Sequence, residues 1–390
     1  MRIKSLVGDF RVEERICLPE GQGSYAYYRV EKTGRSTLAV RDEMAARLKV
    51  TPSALVFPAL KDKAAIAIQY ASVRKRGPQE ISGTGFAARR VGWGTRALRP
   101  SDLEGNHFSV IVRKLTAEEA GLLGPKVEQL GVCGLLNYFD DQRFGSYAKG
   151  GFIGKEILKR DAERVVHMYL AEEMIGDRRD VREFKRLCAS HWGQWGYLLH
   201  QAPRPSNFRS VITYLKDHPH KYRKAANLIK DRLLSIYLSA YQSWVWNRIV
   251  AAYIERDGEL ARGINMLGTR FPVVEPSPET PALQQELVDL PRLTARYTGP
   301  FEQAAQAVFE KESLGLQEFK ARILQRVYLT KGERPVAFLP TDVAVGAPSD
   351  DTQFPGRKQL TVEFALGAGQ YATLVLKTAA AMIGSQLKVR

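Results

Sequence analysis

Gly105-Asn106-His107-Phe108-Ser109-Val110-Ile111-Val112-Arg113 alternates along its whole length, and that alternation decides what kind of fold this chain builds. Successive side chains of an extended segment point to opposite faces. Asn106, Phe108, Val110 and Val112 therefore share one face, and His107, Ser109, Ile111 and Arg113 the other. The segment reads as a strand that carries an aromatic ring and an amide on the same side. Leu360-Val362-Phe364 alternates in the same way near the other end of the chain. Tyr25 to Glu31 reads as a tyrosine-rich strand, Lys32-Thr33-Gly34 as the turn after it, and Ser36 or Thr37 as the cap of a helix running through Met44 to Leu48.

Beyond Gly150 the texture changes to a period near 3.6. Ile153, Ile157, Val165, Tyr169 and Leu170 are spaced to cover a helix face before Gly176, Val181 to Cys188 suggest a shorter helix, and Asn227 to Ile254 a long one. The proline-containing stretch 271–291 reads as loops. After Gly315 the mixed texture returns, with a helix expected from Gln317 to Leu329, a strand at Val336 to Leu339, and a last helix from Tyr371 to Ile383 closed by Gly384. A mixed sheet interrupted by a helical insertion accounts for this order, and makes the fold class α+β.

The chain has 390 residues and a formal net charge of +16. A surface that basic attracts polyanions, and nucleic acid is the expected partner. No apolar run approaches the ~18–20 residues needed to span a bilayer, and the first residues are too charged for a signal-peptide core. A soluble protein of the cytoplasm is expected, with no membrane association. Cys17, Cys133 and Cys188 lie far apart and form no CxxC pair, which fits a reducing compartment and signals neither zinc site nor disulfide framework. His218 and His220 flank Pro219 without any further ligand at metal spacing, so no metal is expected.

One acidic residue stands out. In Leu60-Lys61-Asp62-Lys63, which follows the apolar run Ala54-Leu55-Val56-Phe57, a carboxylate lies between two cations at the end of a partly buried segment. That setting suits a nucleophile or a base, although a bare Lys-Asp-Lys is more often a solvated turn. Around it in sequence are rings paired with polar or cationic groups: Phe10-Arg11, Asn106-His107-Phe108, Asn137-Tyr138-Phe139 and Gln142-Arg143-Phe144. Stacking of such a ring on an extruded base contributes roughly 1–3 kcal/mol. The plainer readings are a core ring for Phe108 and a surface salt bridge for Arg143. Arg89, Arg90, Arg96 and Arg99 could hold phosphates, whereas Gly83-Thr84-Gly85 and Gly92-Trp93-Gly94 lack the pattern of a nucleotide-cofactor loop.

Six blocks carry a resemblance: IKSLVGDFRVEE (Ile3 to Glu14), ALKDKAAIAIQYAS (Ala59 to Ser72), GNHFSVIVR (Gly105 to Arg113), NYFDDQRFG (Asn137 to Gly145), LSAYQSWVWNRIVAAYI (Leu238 to Ile254) and LGAGQYATLVLK (Leu366 to Lys377). In this order they resemble the TruD group of pseudouridine synthases. The chain departs from the group's usual residues at Val7, Ala67, His107 and Asp140. The resemblance implies a pseudouridine-synthase-type mixed, largely antiparallel sheet flanked by helices, formed by residues 1–150 and 316–390, with a mainly helical insertion domain over 151–315. It implies isomerisation of a uridine in tRNA, at position 13, by a monomer without a cofactor. Asp62 matches the group's catalytic aspartate, acting as nucleophile or base. Phe10, Asn106 and Tyr371 match positions that contact the target nucleotide, and Phe108 the ring that stacks on uracil. Lys4 matches a basic residue near the carboxylate, and Lys61 and Arg143 are expected to help bind substrate. Other readings are a non-catalytic RNA-binding or RNA-folding protein on the same scaffold, an enzyme with broader RNA targets, and a hydrolytic nucleosidase.

Overall fold

The computed structural model describes residues 1–389 apart from 20, 22, 76, 205, 257, 259, 276, 278 and 279. The alternating segments form a sheet. Its spine consists of β1 (Phe10–Ile16), β2 (Tyr25–Thr33), β3 (Ile66–Val73), β4 (Glu80–Gly83), β5 (Phe86–Gly94) and β6 (Leu103–Leu115), with β9 (Thr341–Val345) and β10 (Lys358–Gly367) from the far end of the chain. The spatial order is β9-β10-β6-β1-β3-β2-β5-β4. Within this spine only β1 and β3 run parallel. The sheet is thus mixed and largely antiparallel, as its sequence pattern and the resemblance led one to expect.

Register fixes which side chains share a face. Lys32 pairs with Ala67, Ala67 with Val12, Val12 with Phe108 and Phe108 with Phe364, so one row crosses five strands. Two residues along each strand, Glu14 pairs with Asn106 and Asn106 with Leu366. These side chains all point to the same side of the sheet.

Helices pack on this side. The side chain of Ser36 accepts from Ala39 N–H at 3.2 Å and starts α1 (Thr37–Leu48), which leaves the Thr37 hydroxyl available for other bonds. Val40, Met44, Ala45 and Leu48 of α1 are buried with Tyr28, Val30, Ala71 and Val73 of β2 and β3. α2 (Ala117–Cys133) begins with a reciprocal capping box between Thr116 and Glu119, ends at Gly134, and packs on β6, β9 and β10. α11 (Ala372–Met382) follows β10.

The chain divides into two compact units. The first comprises Met1–Leu136, Val273–Ala282 and Ala337–Arg390, the second Asn137–Pro272 and Leu283–Val336. These limits lie at 136 and 337, where the change of sequence texture put the boundaries at 150 and 316. The reason is local. β7 (Leu135–Leu136) pairs antiparallel with β8 (Ala337–Phe338) inside the first unit, whereas Asn137, the next residue, donates its N–H to Val336 O at 2.8 Å inside the second.

The second unit is mainly helical. It holds α3 (Ile153–Lys159), α4 (Ala162–Ala171), α5 (Arg179–Ser190), α6 (Trp195–Gln201), α7 (Arg209–Asp217), α8 (Tyr222–Ala226), α9 (Asp231–Ile254) and α10 (Pro300–Glu312). α9 is buried along most of its length, and Gly154 lets α3 approach it, because a Cβ there would lie 2.3 Å from Tyr237 O. The long helix expected from Asn227 starts only at Asp231. Asn227 instead donates its side-chain N–H groups to Arg223 O and Ile323 O, and its Oδ1 accepts from Gln325 N–H.

The helix expected over Gln317 to Leu329 is absent. Phe319, Ile323, Leu324 and Val327 are buried at helix-like spacing, but their segment is a 3-10 turn (Leu316–Glu318) followed by short turns with local backbone bonds such as Leu324 N–H to Ala321 O, and it is anchored besides to Asn227 and Leu293. No helix among the described residues is long and apolar enough to cross a membrane.

Candidate active site

Asp62 lies in the loop that leads into β3. Because β3 runs parallel to β1, this loop arrives at the edge of the sheet where β1 begins with Phe10, just after the residues that carry Lys4. Lys4 Nζ donates to Asp62 Oδ2 at 2.6 Å. The Lys4 side chain is 6% exposed and the Asp62 side chain 48%. Lys4 thus grips a carboxylate that is about half exposed. The same ammonium stands 4.2 Å from the centre of the Phe10 ring, a cation–π contact. Lys4 holds this position with a φ of 60°, the left-handed region that costs a non-glycine residue of order 1–3 kcal/mol.

Lys61, next to Asp62 in sequence, turns the other way. Its Nζ donates to Asn106 Oδ1 at 2.5 Å and lies 3.0 Å from Glu14 Oε1, an ion pair whose angle falls short of a hydrogen bond. The other oxygen of the buried Glu14 accepts from Tyr70 N–H at 2.8 Å. An ammonium can only donate, so the atom of Asn106 that faces it is the carbonyl oxygen, and the two N–H donors of the amide face away.

Phe108 lies in the next row. Its ring centre is 5.8 Å from Phe10 and 5.8 Å from Phe364, and it is 9% exposed. Both Phe10 and Phe108 are therefore core rings whose rims border the Asp62 loop's face of the sheet. Tyr371 caps the start of α11, four residues after β10 ends, and is half-buried. Arg143 belongs to the second unit, where its Nε donates to Ser243 Oγ at 3.1 Å and its guanidinium stands 5.7 Å from the Phe139 ring. Of the arginines expected to meet phosphate, Arg96 is forked onto Asp102 at 2.7 and 2.8 Å, while Arg90 is stacked 4.7 Å from Trp93 beside Arg74 and Lys75 in a basic concavity.

Three residues that hold the site were missed in the sequence reading. Gln69 Nε2 donates to Ala59 O at 3.0 Å, Thr37 Oγ1 accepts from Lys61 N–H at 3.0 Å, and Lys32 Nζ donates to Asp62 O at 2.6 Å. In the sequence Thr37 reads only as a possible helix cap and Lys32 as a turn residue. The missed signal is parity: Tyr28, Val30 and Lys32 continue one buried face of β2. Burial pulls the Lys32 ammonium down to a pKa of about 8; the charge of Asp62 opposes this shift and that of Lys61 adds to it. Among the described residues, no group of three or more His, Cys, Asp or Glu side chains is placed to hold a metal ion.

Comparison with known proteins gives a consistent answer. The model of the family described as tRNA pseudouridine synthase D (TruD) matches residues 1–265. A probable tRNA pseudouridine synthase D 1 of Methanococcus maripaludis is 29% identical over 365 residues, covering 91% of this chain and 92% of its own. The tRNA pseudouridine synthase D of Aquifex aeolicus is 25% identical over 391 residues, 97% of each chain. Among solved structures, that of a putative tRNA pseudouridine synthase D from Methanosarcina mazei superimposes with a TM-score of 0.74 at 21% identity, over 97% of this chain and 92% of that one. This last likeness is one of fold.

Proposed function

Because the chain belongs to the tRNA pseudouridine synthase D (TruD) family of isomerases, we propose that it converts uridine 13 of tRNA to pseudouridine and that Asp62 starts the reaction. The first unit would be the catalytic domain and the second an insertion that adds RNA contacts, Arg143 among them. The observation that carries this reading is the 2.6 Å pair between the buried Lys4 ammonium and the half-exposed carboxylate of Asp62.

The chemistry asks for little beyond a carboxylate and a shaped pocket. The N1–C1′ bond of uridine breaks, the base turns, and a C5–C1′ bond forms; C5 loses a proton and N1 gains one. No electron is gained or lost overall, so the balance calls for no cofactor. Asp62 can add to C1′ as a nucleophile, or remove the 2′ proton to leave a glycal. Lys4 keeps the carboxylate oriented in either case.

The detached uracil must be retained while it turns. Extrusion from the helix costs the base its stacking, and the rims of Phe10 and Phe108 with Tyr371 replace part of it. Asn106, with its oxygen tied to Lys61, offers N–H donors that suit a uracil carbonyl. The basic concavity beside Arg90 suits the RNA backbone. Three free cysteines fit the reducing cytoplasm where tRNA is processed.

The test is Asp62→Asn in the full-length protein. Pseudouridine formation is expected to fall below detection while tRNA binding stays within about twofold of the wild type, since the isostere removes one charge and little volume. Equal loss of both would mean a damaged fold. Mapping pseudouridine in RNA from cells with and without the protein then tests position 13, and new sites outside tRNA would establish broader targets.

A further inference from the structure

The loop around Asp62 is tied down at three main-chain points by side chains that are almost fully buried. Two of the ties form one chain of hydrogen bonds. Lys61 N–H donates to Thr37 Oγ1, the Thr37 hydroxyl donates to Gln69 Oε1 at 2.8 Å, and Gln69 Nε2 donates to Ala59 O. Each donor and acceptor has one partner, so the direction of the chain is fixed by the single hydroxyl proton. The third tie is different in kind. Lys32 is 1% exposed, and its Nζ reaches the main-chain carbonyl of Asp62 itself at 2.6 Å.

A lysine is an expensive way to fill such a place. Its row neighbours across the sheet are Ala67 on one side and Phe86 on the other, both apolar. Burying an ammonium costs several kcal/mol, and a methionine of similar length would fill the same volume without that cost. The penalty is visible in the depressed pKa of about 8. Ala67, with only a methyl group, leaves the lysine stem room to rise from the sheet toward the loop. A chain that needed only a filled core would not require a donor at this point.

We propose that Lys32 is a positioning residue for the isomerisation: by holding the carbonyl of Asp62 from below, it sets the height and orientation at which the carboxylate meets Lys4 and the ribose. The inference rests on the functional reading of Asp62 given above. Lys4 fixes the carboxylate end of the residue and Lys32 the backbone end, so the residue is held at both ends. Lys32 touches no substrate in this scheme and acts through Asp62 alone.

The experiment uses the full chain with Lys32→Met and Lys32→Gln, both too short of a charged donor to reach the carbonyl in the same way. Single-turnover pseudouridine formation on a tRNA transcript, tRNA affinity and the thermal midpoint are measured for each. The rate is expected to fall by about 10²-fold, the effect of a displacement near 1 Å in a catalytic group, while tRNA affinity stays within about twofold. A rate within threefold of the wild type overturns the proposal, as does an equal loss of rate and affinity. If only one variant folds, it is judged by the same criteria. Failure of both to fold also overturns the proposal, since Lys32 would then be holding the sheet rather than the loop. Wild-type protein that forms no pseudouridine overturns both readings, whereas active wild type with unaffected variants overturns this one alone.

Discussion

Asp62 sits between two lysines in the sequence, yet the cation that meets its carboxylate is Lys4, at the start of the chain. Lys61 and Asp62 are adjacent in the loop, yet Lys61 reaches Asn106 and Glu14 while Asp62 meets Lys4. That is why the flanking charges alone could not say which lysine serves the acid. Phe10, Asn106 and Phe108 do share a face, and the alternation of the strand made that legible. Lys32 was hidden because Lys32-Thr33-Gly34 reads as a turn, although the lysine is the last inward residue of its strand. Its protonation offers a separate check. Folding lowers its pKa from the ordinary 10.5 to about 8. Between those values the unfolded chain holds a proton that the folded protein has released, so raising the pH through this window favours the folded state at this site. Below pH 8 the group is charged in both states, so the cost of burying it is fully present and no longer changes with pH. The melting temperature of the wild type is therefore expected to gain on that of Lys32→Met between pH 8 and 10.5 and not between pH 6 and 7.5, as paired thermal melts will show.

Elements were legible where the burial pattern and the backbone bonds agree. β6 is one such case: one face is apolar and its neighbours β1 and β10 complete its ladder. The segment after Gly315 is the opposite case, since apolar residues at helix-like spacing are buried while their backbone closes only tight turns and bonds to Leu293 and Asn227 instead of a helix ladder. The helix in that region is α10, upstream, which starts at Pro300 after Gly299 and stops at Ser313 with a φ of 53°. Its start signal is plain in the sequence once the segment after it is not taken for the helix. Within α9, Asn247 is fully buried, and its amide closes two bonds with the main chain of Phe139, Oδ1 accepting from N–H and Nδ2 donating to the carbonyl, both at 2.8 Å. Asn247→Asp keeps the first and destroys the second, placing a carboxylate against a carbonyl. A loss of about 2–3 kcal/mol is expected, read as a lower unfolding midpoint, with the far-ultraviolet spectrum of the folded state unchanged.

For the whole molecule, a charge of +16 makes binding of tRNA depend on released counterions. Affinity for tRNA is expected to drop by about tenfold or more between 50 and 200 mM salt, with the same slope for Asp62→Asn; a flat response in a titration would mean that the basic surface is not the binding face. The limits of the two compact units leave no periodic trace in the sequence, because β7 and β8 are two residues each. The connectivity has a consequence for synthesis. β6 carries Phe108, and its partner β10, which carries Phe364, is translated roughly 250 residues later. At about 5–20 residues per second, one edge of the sheet waits ~12–50 s on the ribosome for its neighbour. During that interval the backbone edge of β6 that β10 will cover is an open template for stray strands.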